Sequence, residues 1–422
     1  MPNSTASRGS VVAAAFAAHW PTLVARLARR YRDLSLAEEC AAEAFAEATK
    51  AWRGGMPQEP GAWLWTIAQR RAVDRMRREA RFADRTHLLA QPNGPAPREA
   101  DDPVTDHLAL LFGMCHPCLS PDSQVALTLR CLNGLSTRQI ATVFLTTTDT
   151  MTRRLTRART RLAANAIPFQ IPDPERWPER VDKVLEAIYL TFTAGHASCD
   201  GSTFIRGDLC DEARWLASLV ERLAPHDPEV LGLVALLDLT DARRPARIGE
   251  DDAPVLLADQ DRRLWDRDLI ASGRQRLTRA LRQKRLGRFQ IQAALAACHA
   301  MAPTWEQTDW RTVVHWYGAL LAFDDTPVVR LNRAIAVSCA GRPAEALREL
   351  DDLRDALSGY HYYWVARSEA HERVGNLSDA ADDLHRALAL EPHPSELICL
   401  TARSTRLGTP ADRAGTGRNG VE

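Results

Sequence analysis

Lysine is nearly missing from this chain. Among 422 residues it occurs only as Lys50, Lys183 and Lys284, so arginine carries the basic charge. Long apolar runs are missing too: none approaches the roughly 20 residues a membrane span needs, so no membrane partner is expected. The N-terminus has no charged stretch leading into a hydrophobic core, so no secretory signal is read there. Nine cysteines scattered over this length do not make a disulfide framework, and a reducing, cytoplasmic setting is the expectation. No convincing strand pattern occurs. A P-loop, a Rossmann glycine pattern and a nucleophile motif are all lacking. No enzyme activity, catalytic residue or cofactor is therefore expected.

The formal net charge is zero, which argues against a generic nucleic-acid binder. Its distribution argues otherwise. Residues 1–165 hold 22 Lys+Arg against 15 Asp+Glu, and residues 166–422 hold 32 against 39. Such a division suits one part that faces DNA and another that avoids it. The length suggests two or three domains.

What is present is clearest in Ser136–Leu162. Ser136 with Gln139 three residues on reads as a capping box opening a first helix through Ile140, Ala141 and Phe144. Leu145–Thr147 is long enough only for a turn, and Thr147 suits the N-cap of a second helix. There Met151, Leu155, Ala158 and Leu162 share one buried stripe, while Arg153, Arg154, Arg157, Arg159 and Arg161 line the opposite surface against Asp149 alone. This is a helix-turn-helix with a basic second helix, suited to a major groove.

The rest reads as helical throughout, so the expected fold class is all-α. Phe16, Trp20, Leu23, Val24 and Leu27 make one apolar face, and a second helix runs from Leu36 to Trp52. After a Gly/Pro break at 54–61, a third runs from about Ala62 to Arg81, with Leu64, Ile67, Ala68, Ala72 and Met76 inward. The expected domains are 11–88, a Pro/Gly/acid linker at 89–103, a helical unit at 104–166, a connector at 167–178, a helical extension at 179–405, and a loose tail at 406–422. Residues 327–358 align with 361–392 at an offset of 34, pairing Ala336 with Ala370, Gly341 with Gly375, Ala346 with Ala380, and Leu350 with Leu384. That period fits tetratricopeptide repeats, and Phe289–Ala302 with Trp310–Phe323 read as a further helix pair in a short solenoid.

A second basic element accompanies the first. Arg70, Arg71, Arg75, Arg77, Arg78 and Arg81 follow Trp63 and Trp65 on the third helix. Aromatics beside arginines offer unstacked bases a face and their phosphates a charge, though either tryptophan would serve equally well as core. A single-strand platform joined to a duplex reader describes a protein that opens DNA at one place while anchored at another.

With these motifs the sequence resembles the extracytoplasmic-function sigma factors, the initiation subunits of bacterial RNA polymerase. Leu36–Glu39, Glu43–Phe45 and Trp52 resemble the region-two helix that grips the polymerase clamp; Ala42 departs from its usual Gln. Gly61–Asp74 resembles the helix facing the −10 element, and Ser120–Leu162 resembles region four, which reads the −35 element. The remainder resembles a subgroup with a long tetratricopeptide-like extension, through Cys115–Pro117, Gln124–Arg130, Asp241–Arg247, Asp259–Arg262, Trp265-Asp266 and Asn332–Ala334. Phe192–His196 stands where that subgroup has a Phe-Asn-Glu-Gly-Tyr-like stretch.

The resemblance implies that Glu38, Glu39, Glu43 and Phe45 meet core polymerase. It implies that Trp63, Trp65, Gln69, Arg70, Arg71 and Arg75 meet the −10 single strand, with a base pocket between Arg53 and Glu59. Thr148, Asp149, Thr152 and Arg153 would lie at −35 base edges, with Arg154, Arg157 and Arg161 on phosphates. Core polymerase and promoter DNA are the expected partners, together with a protein or small-molecule regulator of the extension, which would act in cis. The alternatives are a helix-turn-helix regulator with a sensing solenoid, and an adaptor whose solenoid is the working part. Cys115-His116-Pro117-Cys118 lacks a second ligand pair, so no metal is expected. The acids at 250–252, 259 and 261 sit among Arg243, Arg244, Arg247, Arg262 and Arg263, which favours charge pairing over a carboxylate site.

Overall fold

The computed structural model describes residues 6–52, 55–82, 103–144, 146–196, 205–249, 254–392 and 394–408. The chain divides into two compact units, Met1–Ala224 and Pro225–Glu422. Among the described residues every regular element is helical, apart from one isolated bridge between Ile248 and Pro254. No helix of the described residues is long and apolar enough to cross a membrane. The expected linker at 89–103 lies, apart from Pro103, outside the described residues.

In the first unit α1 (Ala6–Tyr31), α2 (Leu34–Ala51) and α3 (Pro60–Phe82) pack together. Asp33 caps α2 by accepting from the Leu36 amide at 3.0 Å. Trp20, Leu23, Val24 and Leu27 of α1 are buried, as are Leu64, Ala68 and Ala72 of α3. Met76 is exposed, contrary to the inward position read from the sequence: the buried stripe of α3 ends one turn earlier. Four helices follow: α4 (Pro103–Met114), α5 (Pro121–Cys131), α6 (Thr137–Val143) and α7 (Thr148–Ala164).

The expected extension begins inside this unit. α8 (Trp177–His196) and α9 (Gly207–Leu223) pack on each other, and both lie against α4, with α8 also against α5. Phe112 meets Trp177 at 5.1 Å, and His107 meets Trp215 edge-on at 4.8 Å. Arg180 also donates to the Phe112 carbonyl. The apolar faces of α4 and α5 need this cover, which is why the compact unit ends at 224 and not at 178. The departing stretch Phe192–His196 serves that packing. Gly195 sits so close to α9 that a Cβ there would lie 2.7 Å from the Arg206 carbonyl oxygen.

In the second unit α10 (Pro228–Asp241) is buried almost all round between α11 (Arg267–Leu281) and α12 (Arg288–Met301), followed by α13 (Trp310–Leu320). α14 (Pro327–Cys339) and α15 (Pro343–Asp351) form one hairpin, and α17 (His361–Val374) and α18 (Leu377–Ala389) form the next. A short α16 (Arg354–Leu357) lies between them, and α19 (Pro394–Gly408) follows. The equivalent turns carry Gly341 at φ 83° and Gly375 at φ 85°, a left-handed geometry that glycine adopts without Cβ strain. The paired small residues Ala336 and Ala370, and Ala346 and Ala380, are all buried, as the 34-residue period requires. α19 runs to Gly408, past the boundary expected at 405, and residues 409–422 lie outside those described.

Candidate nucleic-acid interface

The helix-turn-helix is built as its sequence dictates. The Ser136 amide donates to Gln139 Oε1 at 2.9 Å, and the Gln139 amide donates back to Ser136 Oγ at 3.3 Å, closing the capping box. Ile140 and Ala141 are buried on α6. Thr147 Oγ1 accepts from the Thr150 amide at 3.2 Å, so α7 starts where the threonine run allows a cap. Met151, Leu155, Ala158 and Leu162 are all buried. With that stripe fixed inward, Thr148, Asp149, Thr152, Arg153, Arg157 and Arg161 are exposed. Arg154 instead leans over the Phe144 ring at 5.2 Å and pairs with Asp122 at 3.3 Å. Beside it lies a groove of about 690 Å³ lined by Ser120, Ser123, Thr150, Arg154, Arg157 and Arg161. Hydroxyls and guanidiniums along this stretch of helix suit phosphate oxygens, with Asp122 the one acid in the lining.

The first basic helix is quieter. Trp63 is half-buried, its ring edge-on to Trp52 at 5.4 Å, and Trp65 and Gln69 are also half-buried. Arg70 is exposed. Arg71 pairs with Glu47 at 3.2 Å and Glu43 at 3.7 Å, and Arg75 pairs with Glu39 and Glu43. The residues expected to face DNA and those expected to face polymerase thus neutralise one another across α2 and α3. Exposed pairs of this kind contribute only about 0–1 kcal/mol each and exchange readily for another partner. Of the expected base pocket, Arg53 and Gly54 lie outside the described residues.

Glu38 and Phe45 occupy places the sequence did not suggest. Phe45 is buried against Phe16, centroids 5.0 Å apart, and Trp20, so it supports α2 from within and offers no outward face. Glu38 is only 4% exposed. Its Oε1 accepts from Arg130 Nε at 2.9 Å and its Oε2 accepts from Arg159 Nε at 2.7 Å. Burial works against the charge on Arg159, and the adjacent carboxylate outweighs it, holding the guanidinium above its usual range. One carboxylate of α2 therefore ties down both α5 and the basic helix α7. A second tie joins α1 to α4: Arg26 and Arg29 reach Asp106, whose side chain is fully buried, at 2.8 and 3.2 Å. Gly134, between α5 and α6, completes the joint with φ 66° and its backbone against Phe16.

Residues 15–82 match the family Sigma-70 region 2, and residues 109–162 match Sigma-70, region 4. The probable ECF RNA polymerase sigma factor SigI of Mycobacterium tuberculosis, in two strains, is 29% identical over 175 residues, 39% of this chain and 60% of that protein. Residues 180–281 match a family of unknown function (DUF6596). This chain belongs to the extracytoplasmic-function sigma factors with a long C-terminal extension. An uncharacterised protein of Rhizobium meliloti is similar to the sigma factor over nearly its whole length: 41% identical across 384 residues, 89% of this chain and 91% of its own.

In this sigma factor the contact between regions two and four is the part that sequence reasoning missed. A signal was available. Arg159 lies four residues after Leu155 and three before Leu162, at the edge of the buried stripe and not opposite it. Elsewhere, Cys115 is fully buried, its thiol pushed up to about 12 by desolvation, while His116 Nδ1 accepts from the Cys118 amide at 3.2 Å. Among the described residues no group of three His, Cys, Asp or Glu side chains is placed to hold a metal ion.

Proposed function

We propose that this sigma factor directs core polymerase to promoters whose −35 duplex is read by α7 and whose −10 single strand is trapped by α3 and the loop before it. The extension is proposed to regulate that activity in cis. The observation that carries the reading is the state of α7: its apolar stripe is buried, and Thr152, Arg153, Arg157 and Arg161 stand open on the other side. Thr148, Asp149, Thr152 and Arg153, at the helix start, are assigned to base edges; Arg154, Arg157 and Arg161 are assigned to phosphates. Trp63, Trp65, Gln69 and Arg70, with Arg71 and Arg75 once released from their acids, are assigned to the −10 strand. Glu39 and Glu43 are assigned to the polymerase clamp, where complementary charge sets orientation and on-rate.

Glu38 supplies the link to regulation. Held between Arg130 and Arg159 it is hidden from a clamp, so engagement of polymerase through this residue requires regions two and four to part. The packing of α8 and α9 on α4 supports a cis role, because the extension grips one partner of that contact.

Runoff transcription tests the reading, with core polymerase of the host and either the full chain or residues 1–224 on host genomic fragments. New discrete transcripts sharing upstream −10 and −35 sequences are expected, with output differing between the two forms. Equal output from both would remove the cis role. No transcripts from either form, with duplex binding intact, would favour a conventional helix-turn-helix regulator.

A further inference from the structure

The second unit holds a group of cationic and polar side chains that the promoter reading does not use. Arg243 and Arg247 flank the short helical turn Arg244–Ala246, and Arg262 begins the turn Arg262–Leu264 packed against it. Backbone bonds lace these segments together. The Asp266 amide donates to the Ala242 carbonyl at 2.9 Å, and the Val255 amide donates to the Arg247 carbonyl at 2.8 Å.

The charge pairing that the sequence favoured forms in part, and it passes by Arg243 and Arg262. Asp261 is taken by its neighbour Arg263, and Asp241 by Arg244. Residues 250–252 lie outside the described residues. Among the described residues half-buried Arg243 has no ion-pair or side-chain hydrogen-bond partner. Arg262 lies over the Trp265 ring at 4.4 Å and donates through Nη1 to the carbonyls of His299 and Ala302, at 2.6 and 2.7 Å. Its Nη2 is buried without an acceptor, and so is the Nε1 of Trp265, a residue only 2% exposed. Gln260 donates to the Val255 carbonyl, while its buried Oε1 receives nothing.

Buried donors that lack acceptors cost about 1–3 kcal/mol each, and more when charged. Native folds tolerate a concentration of them where something else completes the set. Among the described residues the surplus at this place is of donors and of positive charge, with Glu306 the one acid acting on Arg262, so the group that would complete the set is an acceptor that carries negative charge. The electrostatics agree. Burial, with Arg247 and Arg262 nearby, pushes the Arg243 guanidinium down to about 10. Burial with Arg243 and Arg262 pushes the His299 imidazole down to about 4, leaving it neutral at pH 7. Beside this positive corner three rings cluster: His299 is parallel to Trp305 at 6.1 Å and edge-on to Trp310 at 5.4 Å, and the two tryptophans meet edge-on at 4.6 Å. An aromatic wall beside a guanidinium cluster suits an anion with an apolar or planar body.

We propose that Arg243, Arg262 and Trp265 form a binding site for a small oxyanion, a phosphate or carboxylate group on an organic body, within the extension of this sigma factor. Donors that are buried or half-buried at a wall of rings favour a small molecule over a nucleic-acid backbone, which needs an open surface. The unmet Gln260 Oε1 adds a place for a hydroxyl or a protonated oxygen next to the charge. The proposal concerns binding alone and stands independently of the promoter assignments.

The test is calorimetric titration and thermal unfolding of the full chain with inorganic phosphate, phenyl phosphate, benzoate and phenol, at constant ionic strength. One equivalent of phenyl phosphate or benzoate is expected to bind and raise the unfolding midpoint; the stronger of the two identifies the head group. Phenol is expected to do neither. Arg243→Gln should weaken binding at least about tenfold, a loss near 1.4 kcal/mol, whereas Arg263→Gln, at an exposed position paired only with Asp261, should bind as the parent does. A proton NMR titration of His299 gives a readout free of any substitution: a bound anion should raise its pKa from the depressed value. No binding by any of the three anions at millimolar concentration would overturn the proposal. So would binding unchanged by Arg243→Gln, or an anion that leaves His299 unmoved.

Discussion

Arg153 and Arg157 sit one turn apart on the same open face of α7, yet their proposed tasks predict different failures. Arg153 is near the helix start, where base edges are read. Arg153→Ala should cost about 1–3 kcal/mol on the preferred −35 sequence and relax discrimination at one base pair. Arg157→Ala should weaken binding to every duplex alike and reduce the slope of log affinity against log salt by about 1. Filter binding or fluorescence anisotropy across a salt series separates the two. A third residue reports on the fold itself. Desolvation on α9 pushes the Glu212 carboxyl up to about 7. Its folded pKa is thus above its unfolded one, so the folded state holds the proton more tightly and stability falls as pH rises from about 4.5 to about 7. Glu212→Gln should therefore raise the unfolding midpoint at pH 8, by on the order of 1–3 kcal/mol in stability, and leave it nearly unchanged at pH 4. Thermal melts at both pH values check this.

Helices and their caps were legible because each was written locally. The Ser136–Gln139 box, the Thr147 cap and the stripe from Met151 to Leu162 all lie where short-range spacing puts them. The paired hairpins at a 34-residue offset were legible for the same reason. What spacing could not supply was the partner of each face. Phe45 read as an outward aromatic because α2 alone cannot show that Phe16 and Trp20 close over it. Glu38 read as a surface acid because Arg130 and Arg159 are 92 and 121 residues away in sequence. Gly134 shows how much such a long-range contact demands of one turn. Alanine there would meet both a left-handed φ of 66° and the Phe16 ring, 2.5 Å from the new Cβ. Gly341 has a similar φ and open space around it. Gly341→Ala should cost about 1–2 kcal/mol, and Gly134→Ala about 2–4 kcal/mol because overpacking is added. Chemical denaturation of both variants tests the order, and Phe16→Leu should recover part of the Gly134→Ala loss alone.

At the scale of the molecule, the break that matters is the one after Ala224. Sequence composition placed it at the proline-rich stretch before 178, since prolines mark connectors and buried faces leave no such mark. The two positions predict opposite behaviour on truncation. Residues 1–224 keep α8 and α9 over α4 and should be monodisperse by size-exclusion chromatography. Residues 1–178 lose most of that cover, exposing apolar surface around Leu108, Leu111 and Phe112, and should aggregate or bind a hydrophobic dye.

The Glu38 carboxylate cannot serve a polymerase clamp and Arg159 at the same time. Where seating α7 on duplex also requires regions two and four to part, polymerase and −35 duplex become heterotropic effectors of each other. The free energy stored in the paired state is the amount by which filling one site improves the other. Thermodynamic linkage requires that amount to be equal in both directions. A −35 duplex added alone would then tighten core-polymerase binding by the same factor that polymerase tightens the duplex, and charge-neutral Glu38→Gln would lower both factors together.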